Sequence, residues 1–120
     1  AIGAKMADPE RPVVCLSGDG GFMFTVQELM VASELNLGLP IILWENGGLK
    51  QIQDDMRARD IPLVGVEGPN PDFLKLAEAM YCDAIEAESL EHAASCIKQG
   101  FEKKRPTLIV VRENSPWLDR

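Results

Sequence analysis

Two short apolar runs that end in the same way constrain the fold of this chain more than any other feature. Pro12-Val13-Val14-Cys15-Leu16-Ser17 reads as a buried strand and runs into Gly18-Asp19-Gly20-Gly21-Phe22. Leu39-Pro40-Ile41-Ile42-Leu43-Trp44 reads as the next strand and runs into Glu45-Asn46-Gly47-Gly48. A helical stretch lies between them, so one β-α-β unit separates the motifs, and strands joined by such a crossover are parallel. Both ends then open on one sheet edge, where open α/β sheets take their ligands. Glycines there let backbone N–H groups approach phosphate oxygens with no Cβ in the way. Asp19 offers a hard anionic oxygen and Asn46 a neutral one, a pair suited to Mg²⁺ held partly by protein and partly by phosphates. Either motif alone is an ordinary turn, since Asp and Gly are common turn residues. The spacing of 27 positions, the apolar run before each motif and the helix start after the first lift the pair above that reading.

Strands and helices continue to alternate along the chain without repeats or low-complexity tracts, the pattern of an α/β domain. Thr25 followed by Glu28 has the form of a capping box, and Val26, Leu29, Met30 and Leu37 share one side. A helix is therefore expected over 26–36, with its N-terminus toward the proposed diphosphate. A short helix is expected over 49–57. Asn70 with Pro71 and Asp72 opens another, carrying Phe73, Leu76, Ala77 and Met80. Ser89 opens a third, carrying Leu90, Ala93, Ala94, Ile97 and Phe101. Residues 83–86 form a short strand in this reading and 107–112 a buried one. The tail from Glu113 is read as lying near the true C-terminus, with Trp117 docking on a domain outside the chain.

At 120 residues the prior is one domain with a modest core. A net charge of −7 argues against nucleic acid or an anionic membrane as the main partner. No uninterrupted apolar run approaches the length of a membrane span, and no signal peptide precedes the first strand. Cys15, Cys82 and Cys96 are odd in number and lack metal-ligand spacing, which favours reduced thiols and a cytoplasmic setting.

The stretch from Gly18-Asp19-Gly20 to Asn46 resembles the diphosphate-binding signature of thiamine-diphosphate-dependent enzymes, closest to the acetolactate synthase and 2-oxo acid decarboxylase group. Val26-Gln27-Glu28-Leu29 resembles the family's helix opening, and Ala1-Ile2-Gly3-Ala4-Lys5-Met6 the tail of the helix before the metal strand. The resemblance covers essentially all of 1–120. It implies a doubly wound parallel sheet with helices on both faces, truncated at its N-terminus, forming the C-terminal cofactor-binding domain of a longer enzyme. It further implies thiamine diphosphate and Mg²⁺ as cofactors, with Asp19, the Asn46 side chain and the Gly48 carbonyl on the metal. Gly18, Gly20, Gly21, Leu49 and Ile52 join those three around the cofactor. The implied chemistry is addition of the cofactor to a 2-oxo acid carbonyl and loss of CO₂. The Glu that activates the cofactor in this family lies on another domain, usually of a second subunit of a homodimer or homotetramer. No catalytic residue is therefore assigned within the chain.

The sequence departs from typical acetolactate synthases after the metal loop. Where that group has a Gly-Met-Val stretch and then a Gln-Trp pair, this chain has Lys50-Gln51-Ile52 and then Asp54-Asp55. Gln51, Asp54 and Asp55 become candidate substrate contacts, because a carboxylate there could read a cationic tail such as a guanidino group on a 2-oxo acid. The competing reading makes Asp54, Asp55, Arg57 and Arg59 a solvated helix face. A non-catalytic phosphate-binding α/β module also stays open, although no Gly-Lys-Ser/Thr follows the first strand. His92 reads as a surface histidine, Trp44 as packing, and Met23, Met30, Met56 and Met80 as filling.

Overall fold

The computed structural model describes residues 1–118. Four strands, β1 (Cys15–Gly18), β2 (Pro40–Glu45), β3 (Asp83–Glu86) and β4 (Thr107–Arg112), pair in parallel in the order β1-β2-β4-β3. The helices are α1 (Ile2–Ala7), α2 (Asp19–Met23), α3 (Glu28–Glu34), α4 (Lys50–Arg57), α5 (Phe73–Ala79) and α6 (Leu90–Glu102).

The central strands β2 and β4 divide their side chains between two faces, as the two-residue period of a strand requires. Ile41 and Leu43 stand beside their register partners Leu108 and Val110 and join Phe22, Leu29, Phe73 and Ala77 from α2, α3 and α5. Ile109 and Val111 point the other way and pack with Ala87 and with Ala93 and Cys96 of α6. Thr107 through Val111 are all buried, which is why β4 reads as a continuous apolar run rather than an alternating one. Helices therefore cover both faces, and the expected doubly wound parallel sheet is the fold observed. No helix among the described residues is long and apolar enough to cross a membrane.

α3, α4 and α5 end alike. Asn36, Asp60 and Tyr81 adopt φ of 53°, 53° and 60°, and the next N–H turns back to Ala32, Met56 and Ala77 respectively. This left-handed closure satisfies helix-end carbonyls without a glycine. Ser89 and Asp72 cap α6 and α5 through their side chains, accepting from the N–H groups of His92 and Lys75.

Two expectations need correction. The strand read as buried over 12–17 is an edge strand: β1 starts only at Cys15 and pairs with β2 alone, and Val14 and Leu16 are 41% and 71% exposed. The helix expected over 26–36 is displaced: the chain turns into the five-residue α2 directly at the strand end, then loops through 24–27 before α3 begins. Phe22 causes this by anchoring α2 in the core against Phe73, ring centroids 6.0 Å apart in an edge-on contact. The Thr25–Glu28 capping box does not form; the Glu28 N–H donates to the Thr25 carbonyl and no side chain caps α3. Trp117 has a seat within the chain itself. Its indole N–H donates to the Ala87 carbonyl at 3.2 Å, and its ring packs with the cluster under α6.

Candidate functional site

The carboxyl ends of β1 and β2 meet around one side chain. Asp19, the first residue of α2, is fully buried although it is charged. Carboxylates are rarely buried unless paired or hydrogen-bonded, because the lost hydration must be replaced. Here N–H groups replace it. Oδ1 accepts from the Gly20 N–H at 2.7 Å. Oδ2 accepts from the N–H groups of Asn46, Gly47 and Gly48 at 3.0, 2.9 and 2.9 Å, and from the Asn70 side-chain amide at 2.6 Å. Burial by itself pushes the Asp19 carboxyl up. The hydrogen bonds from Gly48, Asn70, Gly20 and Gly47 outweigh it and leave the group below its ordinary value of 3.8, so Asp19 is an anion at neutral pH.

Glycine makes this cage possible at two places. Gly47 and Gly48 have φ of 92° and 94°, a conformation in which a Cβ is strained, and that turn aims three successive N–H groups at one oxygen. At Gly20 the constraint is space: a Cβ would stand 2.8 Å from the Gly48 carbonyl oxygen and 2.9 Å from Leu49 Cδ2. The backbone of Gly20 thus lies against both Asp19 Oδ1 and the Gly48 carbonyl.

The donor set fits a hard cation. Asp19 Oδ1 carries one N–H and keeps accepting capacity. Among the described residues, the Asn46 side chain and the Gly48 carbonyl enter no hydrogen bond, so both keep their oxygens available on the turn whose N–H groups hold Asp19. No three His, Cys, Asp or Glu side chains cluster among those residues, so the oxygens around Asp19 are the donors to consider. An open cleft of about 520 Å³ adjoins them, lined by Glu45, Asn46, Gly47, Asn70, Arg112, Glu113 and Asn114. A larger hollow, about 740 Å³, lies at the other ends of β3 and β4 around Asp83 and Thr107. Most of its charged groups are already paired, Asp83 with Lys103 and Arg105 and Asp72 with Lys75, so chemistry rather than size selects the site.

The other sequence-derived candidates divide. Gly18 precedes Asp19, and Leu49 leads into α4 against Gly20. Gly21 is exposed one residue further along α2. Gln51, Ile52, Asp54 and Asp55 lie on the exposed side of α4. Asp54 pairs with Lys50 at 3.2 Å and Arg57 at 3.0 Å, while Gln51 donates to Asp55 at 3.2 Å. Two residues that the sequence reading passed over belong to the cage instead. Asn70 closes it, and Gln53, the one buried residue of α4, donates to the Gly47 carbonyl at 3.2 Å and the Val66 carbonyl at 2.8 Å.

Comparison with known proteins agrees with this geometry. Residues 1–111 match the family model described as thiamine pyrophosphate enzyme, C-terminal TPP binding domain. Over 112 residues the chain is 45% identical to the protein of Pseudomonas aeruginosa named "Probable 2-ketoarginine decarboxylase AruI", covering 92% of this chain and 20% of that one. It is 31% identical to an acetolactate synthase of Bacillus subtilis, with the same coverage of 92% and 20%. The thiamine diphosphate-dependent 4-hydroxybenzoylformate decarboxylase of Rhodococcus jostii superposes with a TM-score of 0.84 at 29% identity, covering 95% of this chain and 22% of that one. The chain thus spans about one fifth of the length of the curated relatives it matches.

Proposed function

Because this chain belongs to the thiamine pyrophosphate enzymes as their C-terminal TPP-binding domain, we propose that it anchors the diphosphate of thiamine diphosphate through Mg²⁺ within a longer enzyme that decarboxylates a 2-oxo acid. The observation that carries this reading is the buried, anionic Asp19, whose Oδ1 takes a single N–H while the turn Asn46-Gly47-Gly48 holds its other oxygen. Asp19, the Asn46 side chain and the Gly48 carbonyl would hold the cation, and the glycine turn would let the Gly21 N–H meet the diphosphate, the Gly20 N–H being taken by Asp19 Oδ1. Gly18, Leu49 and Ile52 would complete the cofactor's surroundings. When bound, thiamine diphosphate supplies the electron sink that lets a 2-oxo acid lose CO₂. The chain's own part is to bind and orient. The remaining domains, and a second subunit in a homodimer or homotetramer, would supply the activating carboxylate. Whether the product is released as an aldehyde or joined to a second carbonyl is decided there. Three free thiols suit a cytoplasmic enzyme.

A narrower reading is favoured by α4, which carries two carboxylates on its way out of the site. Asp54 is held by Lys50 and Arg57, whereas Asp55 has no cationic partner among the described residues. An unneutralised carboxylate at this position suits a 2-oxo acid with a cationic tail, and the 45% identical relative is named for the 2-oxo acid of arginine.

In the full-length protein, Asp19→Ala and Asn46→Ala should each abolish Mg²⁺-dependent binding of thiamine diphosphate, measured by calorimetry. Wild-type affinity in either variant overturns the assignment. Assaying a panel of 2-oxo acids with CO₂ and acetolactate followed separately distinguishes decarboxylation from carboligation, and a preference for pyruvate over the guanidino acid removes the narrower reading.

A further inference from the structure

The two oxygens of Asp19 are not used alike. Oδ1 takes one N–H, from Gly20, and Oδ2 takes four. Three of those four come from the single turn Asn46-Gly47-Gly48. The fourth comes from Asn70, 51 residues further along the chain at the entry to α5, and it is the shortest of the set at 2.6 Å. The Asn70 nitrogen also lies 3.5 Å from Glu45 Oε1. Both neighbours are carboxylates that can only accept, so the amide must present its NH₂ group to them. Glu45 in turn has its second oxygen 3.1 Å from Arg112, which also pairs with Glu86 at 2.8 Å. Asn70 is thus a neutral double donor between two carboxylates, one caged and one ion-paired.

We propose that Asn70 is a positioning residue for the cation, fixing the Asp19 carboxylate so that Oδ1 and not Oδ2 is presented and keeping Glu45 apart from it. This rests on the assignment of Asp19 as a cation ligand. The turn donors fill Oδ2 from the side of β2, but all three belong to one glycine turn. Asn70 holds the carboxylate from a different part of the chain, so its plane is set from two sides. Without the amide, Asp19 and Glu45 share no donor, and Asp19 Oδ2 is held from the turn alone. A cation that demands near-ideal octahedral geometry, as Mg²⁺ does, is sensitive to how that carboxylate is set. Residues that orient a ligand in this way typically account for 10- to 100-fold in metal affinity.

The test uses the full-length protein with saturating thiamine diphosphate, titrated with Mg²⁺ by calorimetry, for wild type, Asn70→Ala and Asn70→Leu. Leucine nearly preserves the side-chain volume and removes the donor. Both variants should need roughly 10-fold or more Mg²⁺ for half-saturation, with full cofactor binding recovered at high Mg²⁺ and little change in kcat there. Wild-type Mg²⁺ requirement in both variants overturns the proposal. A normal requirement in Asn70→Leu with a weakened Asn70→Ala also overturns it, because packing alone would then explain the site. The melting temperature without metal identifies a variant that fails to fold, and the other variant then decides. Failure of the underlying assignment looks different: wild type would bind thiamine diphosphate independently of Mg²⁺, or Asp19→Ala would bind it normally.

Discussion

Asp19 and Asp54 are both aspartates with depressed pKa values, yet they occupy opposite extremes of environment. Asp19 is buried at the junction of β1 and β2, and N–H groups from four other residues besides its neighbour Gly20 close around it. Asp54 stands half exposed on α4, and its carboxyl is lowered chiefly by the hydrogen bond from Lys50. The same residue type therefore serves different ends: in the first region the backbone has been shaped to receive one charge, and in the second the charges receive each other in water. Exposed ion pairs of the second kind contribute little to stability. The difference predicts which substitutions matter, and each experiment below tests how sharp it is.

The largest effect belongs to Asp19. Removing it leaves the part-buried N–H groups of Asn46, Gly47, Gly48 and Gly20 without their acceptor, so Asp19→Ala should lower stability by about 1–3 kcal/mol, the cost of unsatisfied groups, as well as abolish cofactor binding. Urea unfolding of the metal-free protein checks the first half; an unchanged midpoint would mean that the cage is not a structural element. The pH dependence follows from the same cage. The folded pKa of Asp19 lies below its ordinary value of 3.8, so folding favours the carboxylate. Its stabilisation is fully present above about the unfolded value and is lost as pH falls through the lowered folded one. Asp19→Asn should flatten the acid limb of the stability curve, and an acid limb identical to that of wild type would contradict the caged-anion description.

Next in size is Gly20→Ala. The added methyl would meet the Gly48 carbonyl at 2.8 Å, backbone against side chain, so the loop has to move. Overpacking of this kind costs about 1–3 kcal/mol, and here the moving atom is a proposed cation ligand. The affinity for Mg²⁺ with thiamine diphosphate should fall more than the melting temperature does. Equal losses in both would show that the contact serves the fold alone.

Gln53→Ala should have a smaller effect. Its amide ties the Gly47 carbonyl to Val66 across the base of α4, and two such bonds are worth roughly 1–2 kcal/mol together. Hydrogen exchange at Gly47 and Gly48 should quicken in the variant, and unchanged protection there would remove Gln53 from the site.

The same comparison explains what could be read from the sequence. The strands were legible because β2 and β4 lie in the sheet's centre, buried on both faces, and so spell continuous apolar runs. Asp19 and Asn46 were legible because each follows an apolar run directly, although β1 is an edge strand with Leu16 71% exposed. Asn70 was not, since its partner is 51 residues away and Asn-Pro-Asp has an adequate local explanation as a helix start. Gln53 was hidden for a related reason. Apolar patterning assigns the buried position of α4 to Ile52, but Ile52 is 46% exposed and the glutamine beside it is buried, because the carbonyls it reaches are polar. α2 escaped notice because Gly20 and Gly21 oppose helix by propensity, and only the tertiary seat of Phe22 holds that turn.

The smallest effects are expected on the outer face of α4, where the comparison can also break. Asp54→Asn removes one partner of Lys50 and Arg57, both still hydrated, so the melting temperature and the activity on any 2-oxo acid should stay at wild-type values. Asp55 differs from Asp54 in having only the Gln51 amide against it. If the substrate carries a cationic tail that reaches this helix, Asp55→Asn should lower kcat/KM for the guanidino 2-oxo acid by roughly tenfold, the loss of one charge-assisted hydrogen bond, and leave pyruvate unaffected. Equal and negligible changes on both substrates would place Asp55 with Asp54 as solvated surface. A selective loss would mean that one carboxylate on the exposed face acquires, in the assembled enzyme, the kind of dedicated partner that Asp19 already has within this domain.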